Sequence, residues 1–68
     1  MKTIVRLSQA KAHDFQELLI LTRFSKFYIR PQLDGKVEFV FSTLSDYQEK
    51  LLSHLLRDYT PYLVTLEN

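Results

Sequence analysis

The sequence predicts a two-layer α+β domain, a four-stranded antiparallel sheet with both helices on one face. Three observations predict it. Short runs of alternating apolar and polar residues occur at 3–7, 27–33, 36–41 and 62–66. Two longer stretches without Gly or Pro, residues 9–24 and 44–59, carry apolar residues at helical spacing. The only glycine follows Asp34, between two of the alternating runs.

Thr3–Leu7 is read as the first strand, with Thr3, Val5 and Leu7 on one side and Ile4 and Arg6 on the other. Ser8 is placed to cap the helix that follows. Ala12, Phe15, Leu18, Leu19 and Thr22 form that helix's buried stripe. Phe27–Leu33 is a second strand, with Phe27, Ile29 and Leu33 facing one way and Tyr28, Arg30 and Gln32 the other. Pro31 donates no ladder bond, so this strand belongs at an edge. Asp34-Gly35 predicts a two-residue type I′ turn, in which both residues take positive φ. Lys36–Phe41 returns with Val37, Phe39 and Phe41 inward.

Ser42, Thr43 or Ser45 caps the second helix. Asp46 and Glu49 near its start and Arg57 at its end suit the helix dipole. Leu44, Leu51, Leu52, Leu55, Leu56 and Tyr59 make its apolar side, and Thr60-Pro61 ends it. Tyr62–Leu66 is the fourth strand. The order β-α-β-β-α-β is the split βαβ, or ferredoxin-like, pattern. Phe15, Leu19, Ile29, Phe39, Leu51 and Leu55 are the expected core.

With 68 residues the chain is one domain, 1–68, too short for a dinucleotide-binding sheet. It has no cysteine, hence no disulfide, thiolate metal site or thiol nucleophile. The net charge is +1, but residues 1–36 carry seven basic and three acidic side chains and residues 37–68 two and five. That asymmetry suits an acidic partner or head-to-tail self-association. No apolar run exceeds Leu18–Leu21, and Met1–Leu7 has no signal-peptide pattern. The expectation is a soluble, cytoplasmic protein.

Little in the sequence points to catalysis. His13 with Glu17, and His54 with Asp58, give two ligands each where a metal needs three or four. Ser8, Ser25, Ser42, Ser45 and Ser53 all have capping, turn or surface explanations, and one glycine makes no phosphate loop. No catalytic, metal-binding or cofactor-binding residue is assigned. Residues 1–45 carry an echo of the histidine phosphocarrier family in Arg23-Phe24, Gly35-Lys36-Val37 and Ser42. That family's phosphorylated histidine precedes Ala-Arg-Pro, whereas His13 precedes Asp14-Phe15, and Ser42 follows Phe41 rather than Lys. No phosphotransfer residue is carried over. A degenerate phosphocarrier-like regulator, modified at Ser42 or His13, is the third-ranked reading.

Two surfaces exceed what a minimal fold needs. On the sheet face away from the helices lie Ile4, Arg6, Tyr28, Arg30, Val40 and Leu63, with Glu38 between the two arginines in a cross-strand charge ladder. On the first helix, Ile20, Leu21 and Phe24 fall off the core stripe; Leu21 and Phe24 fold back into the core if the helix stops near Thr22. The leading functional reading is a non-enzymatic adaptor, inhibitor or regulatory subunit, of the kind bacterial and phage genomes encode in number. It binds a protein partner or a second copy of itself through Tyr28, Arg30, Arg6, Val40, Ile4 and Leu63, or through Ile20 and Leu21. The alternative is a nucleic-acid-binding module on a basic and aromatic sheet face, Arg6, Arg30, Lys36 and Tyr28. Against it, the outward positions of the central strands, Ile4/Arg6 and Glu38/Val40, have no aromatic on which a base can stack.

Overall fold

The computed structural model describes residues 1–59 and 62–67. The elements are β1 (Lys2–Ser8), α1 (Gln9–Leu21), β2 (Phe27–Pro31), β3 (Lys36–Phe41), α2 (Asp46–Leu56) with a 3₁₀ turn at Arg57–Tyr59, and β4 (Leu63–Glu67). The sheet is open and antiparallel, ordered β2-β3-β1-β4. Pro31 lies on an edge strand, as its missing donor requires. The expected helix stop at Thr60-Pro61 lies outside the described residues.

One face of the sheet carries the core. Val5 and Leu7 of β1 and Phe39 and Phe41 of β3 cluster with Ala12, Phe15 and Leu19 of α1, with Phe24, and with Leu52 and Leu56 of α2. Of the six expected core residues, Phe15, Leu19 and Phe39 are fully buried. Ile29, Leu51 and Leu55 are only partly buried and pack against the cluster. Ile29 is on an edge strand. On α2 the inward row is one residue later than expected, so Leu52 and Leu56 point inward and Leu51 and Leu55 flank them.

Each helix ends by a different device. Ser45 and Gln48 form a reciprocal capping box at the start of α2, each side chain bonded to the other's backbone N–H. Ser8 sits at the cap position of α1, but its side chain makes no capping bond. At the end of α1, Arg23 N–H bonds Ile20 C=O at 3.1 Å and Phe24 N–H bonds Leu19 C=O at 2.9 Å. That is a Schellman closure, with Arg23 at φ 65° where glycine is usual. The closure turns Phe24 inward, edge-on to Phe41 at 5.8 Å.

The β2–β3 turn corrects the expected two-residue hairpin. Gln32 N–H bonds Lys36 C=O at 2.9 Å and Gly35 N–H bonds Gln32 C=O at 3.3 Å, leaving Leu33-Asp34-Gly35 as a three-residue connection. Only Gly35, at φ 80°, takes the left-handed conformation. This is the longer hairpin that closes with a glycine bulge. Asp34 stays out of the left-handed region and accepts the Lys36 N–H at 3.0 Å through its side chain. Leu33, expected inward beside Ile29, is fully exposed in the turn.

Two stability outcomes follow from these sites. Nothing lies within 4 Å of a Cβ built on Gly35. Gly35→Val therefore costs only backbone strain, about 1–3 kcal/mol in urea unfolding. Arg23→Gly relieves strain at the α1 closure and raises stability by up to about 1 kcal/mol, the left-handed penalty less glycine's unfolded-state entropy. In the core, Leu52→Ala costs about 2–5 kcal/mol and Leu51→Ala clearly less; equal losses at both positions contradict the observed rotation of α2.

Candidate interaction surfaces

The opposite face of the sheet is built from residues of the other parity. Cross-strand pairing sets two rows, Tyr28–Val40–Ile4–Thr65 and Arg30–Glu38–Arg6–Leu63. Ile4 and Val40, expected to touch a partner, are 4% and 1% exposed and stand apart from the main core. They are paired with each other at the middle of the two central strands. Side chains buried this far offer no contact surface. Tyr28 and Leu63 are exposed. The Lys2 ammonium lies 5.9 Å from the centre of the Tyr28 ring, within cation–π range.

Both arginines of this face are paired, but not as one ladder. Glu38 stands opposite both Arg30 and Arg6. Its Oε1 accepts from Arg30 Nε at 3.0 Å and Gln32 Nε2 at 3.1 Å, with Arg30 Nη2 at 2.9 Å. Arg6 Nη2 pairs instead with Asp34 in the β2–β3 turn. Arg6 Nε is buried without a hydrogen-bond partner. The two pairs differ in burial, Glu38 being 16% exposed and Asp34 51%. The first pair is the better shielded from solvent and salt.

On α1 the sequence expectation divides. Phe24 folds inward at 7% exposure, whereas Leu21 stays out at 79%, beside exposed Ile20. Helix geometry explains the split, because Leu21 is the last residue of α1 and the chain reverses only after it. His13 pairs with Glu17 at 3.3 Å on the solvent side of the helix, and His54 is exposed on α2. Among the described residues no three His, Asp or Glu side chains gather as a metal would require, and no helix is long and apolar enough to cross a membrane.

One feature escaped the sequence reading. Every residue of β4 is exposed. Its core-side residues, Val64 and Leu66, edge an apolar groove of about 230 Å³ beside Leu44, Leu52 and Leu56. The available signal was the run Leu63-Val64-Thr65-Leu66, which is apolar on both parities at the outer side of β1. No family model, curated protein or solved structure matches this chain.

A double-mutant cycle tests the better-shielded pair. Glu38→Ala strands the Arg30 head, so the Arg30/Glu38 coupling should be about 1 kcal/mol and largely survive added salt. The Arg6/Asp34 coupling should be no more than about 0.5 kcal/mol and vanish. Chemical unfolding of the four singles and two doubles reads both values; equal couplings would contradict the difference in burial.

Proposed function

We propose that this chain is a small non-enzymatic interaction protein that acts by binding another protein through the second sheet face, with Tyr28 and Arg30 as its main contacts. The observation that carries the reading is the fixed Arg30 head. Glu38 Oε1, itself held by Gln32 Nε2, accepts from the Arg30 head, which lies on the same strand and face as the exposed Tyr28, with the Arg30 side chain still 38% accessible. Part of the entropy lost when an interface arginine is immobilised is thereby lost already on folding. Tyrosine and arginine are also the residue types whose truncation most often costs binding energy. Leu63 and the Arg6–Asp34 pair extend the surface along the same row.

The nucleic-acid alternative is less well supported. Arg6 and Arg30 each have a carboxylate partner, so a phosphate would have to compete for both. The ferredoxin-like reading rests on two supports. The order β2-β3-β1-β4 with antiparallel neighbours agrees with the split βαβ pattern. Residues of both helices join one cluster with Val5, Leu7, Phe39 and Phe41, which favours both helices on the same face.

Affinity capture from the source cell with wild type, Tyr28→Ala/Arg30→Gln and Ile20→Ser/Leu21→Ser tests the proposal, each variant first checked for folding by circular dichroism. The expected result is a protein partner retained by wild type and the helix variant and lost from the sheet-face variant. Loss from the helix variant alone moves the site to α1. Retention of nucleic acid that salt steeply removes favours the alternative.

A further inference from the structure

The two edges of the sheet are chemically unlike. β2 ends in Pro31 and carries Arg30, which blunts it as a template for another strand. β4 is Leu-Val-Thr-Leu-Glu, with neither proline nor a basic residue, and pairs on one side only, with β1. Its outer N–H and C=O groups form a row that an extended strand can complete, and its side chains include three exposed large apolar groups, Leu63, Val64 and Leu66.

We propose that β4 pairs antiparallel with β4 of a second copy about a two-fold axis through Thr65, joining two four-stranded sheets into one of eight strands. The sequence of the strand is what selects a second copy. In this register Thr65 faces its own symmetry mate, a favourable cross-strand pair. On the core side, Val64 faces the mate's Leu66 and Leu66 the mate's Val64. Because Val64 lies beside Val5 and Leu66 beside Thr3, this joins the apolar rows of both sheets and covers the outer rim of each groove.

The charges agree with the same register. Leu63 faces the mate's Glu67, so no like charges stand opposite each other on the new ladder. Arg6, next to Leu63 on β1, then lies two strands from that carboxylate. Moving the axis to Leu66 would set Thr65 against Glu67 and leave both Leu63 and Val64 unpaired within the strand. Five residues of edge span about 17 Å, and the joint falls in the small-interface class below about 1,200 Å². The dimer is therefore weak and concentration-dependent. This surface is separate from the Tyr28/Arg30 site.

Sedimentation equilibrium of the whole chain, from about 5 µM to about 1 mM, tests the proposal. Wild type should rise from the 8.1 kDa monomer toward twice that mass. Thr65→Lys and Thr65→Glu each place like charges face to face on the axis and should remain monomeric, while their equimolar mixture regains the dimer. Tyr28→Ala/Arg30→Gln should dimerise as wild type does. A wild type that stays monomeric throughout overturns the proposal and leaves the sheet-face reading standing. Dimers of either Thr65 variant alone, or a folded mixture that fails to associate, overturn it as well. Should a Thr65 variant not fold, amide exchange on wild type decides: protection within 63–67 must increase with concentration, and constant protection refutes the pairing.

Discussion

One continuous chain of aromatic contacts joins the layers of this domain. It runs from Tyr59 to Phe15 (5.2 Å between ring centres), to Phe39 (5.2 Å), to Phe27 (6.2 Å), to Phe41 (5.7 Å) and to Phe24 (5.8 Å). All five phenylalanines of the sequence are in it. The contacts link α1, β2, β3, the α1 closure and the turn after α2. Phe15 is central, fully buried and edge-on to rings from both sides. Edge-to-face pairs add about 0.5–1.5 kcal/mol each beyond their buried area. That matters in a chain of this size, where burial barely exceeds chain entropy and no disulfide is present.

The position of that network explains where the molecule is unfinished. Its strand members all come from β2 and β3, so the thickest packing is displaced to that side of the sheet. β1 is covered by its place between β3 and β4, contributing Val5 and Leu7 to the core. No residue of β4 is aromatic, so the strand contributes no member to the network. Val64 and Leu66 point to the core side yet meet an open groove rather than a filled interior. A domain with two helices and four strands cannot cover each strand equally, and here the shortfall falls on the last strand. The exposed apolar edge thus follows from how the aromatic residues are distributed along the chain.

Much of this was readable beforehand because period and punctuation agree locally. The alternating runs located all four strands, and Ala12, Phe15 and Leu19 set the buried stripe of α1. The departures have specific causes. Asp34-Gly35 favours a type I′ turn in isolation, but Asp34 supplies its own side-chain bond to Lys36 and needs no positive φ. The α1 closure has no glycine to announce it, because the contact of Phe24 with the core offsets the strain at Arg23. Leu51 and Leu52 are adjacent, and composition cannot say which faces inward until the packing fixes the helix rotation. On the sheet face, period 2 correctly assigned Ile4 and Val40 to the outer side. It could not reveal that they would be buried there.

The burial of Ile4 and Val40 also constrains how the two proposed surfaces relate. Because Ile4 and Val40 are buried in the middle of the second face, the groups proposed to bind there lie toward its edges, Tyr28 and Arg30 on β2 and Leu63 on β4. A two-fold axis normal to the sheet at Thr65 keeps the second faces of both copies on the same side. The two Tyr28 rings then stand at opposite ends of one platform, about seven strand spacings or 34 Å apart. Each copy's Tyr28/Arg30 site is left uncovered by the joint, since it lies three strands from the axis. A partner with two suitably spaced sites would gain effective concentration from the pairing, while a monomeric partner would bind either copy unchanged. As proposed, self-association uses the β4 edge and partner binding is centred on Tyr28 and Arg30 at the β2 edge, with Leu63 the one residue assigned to both.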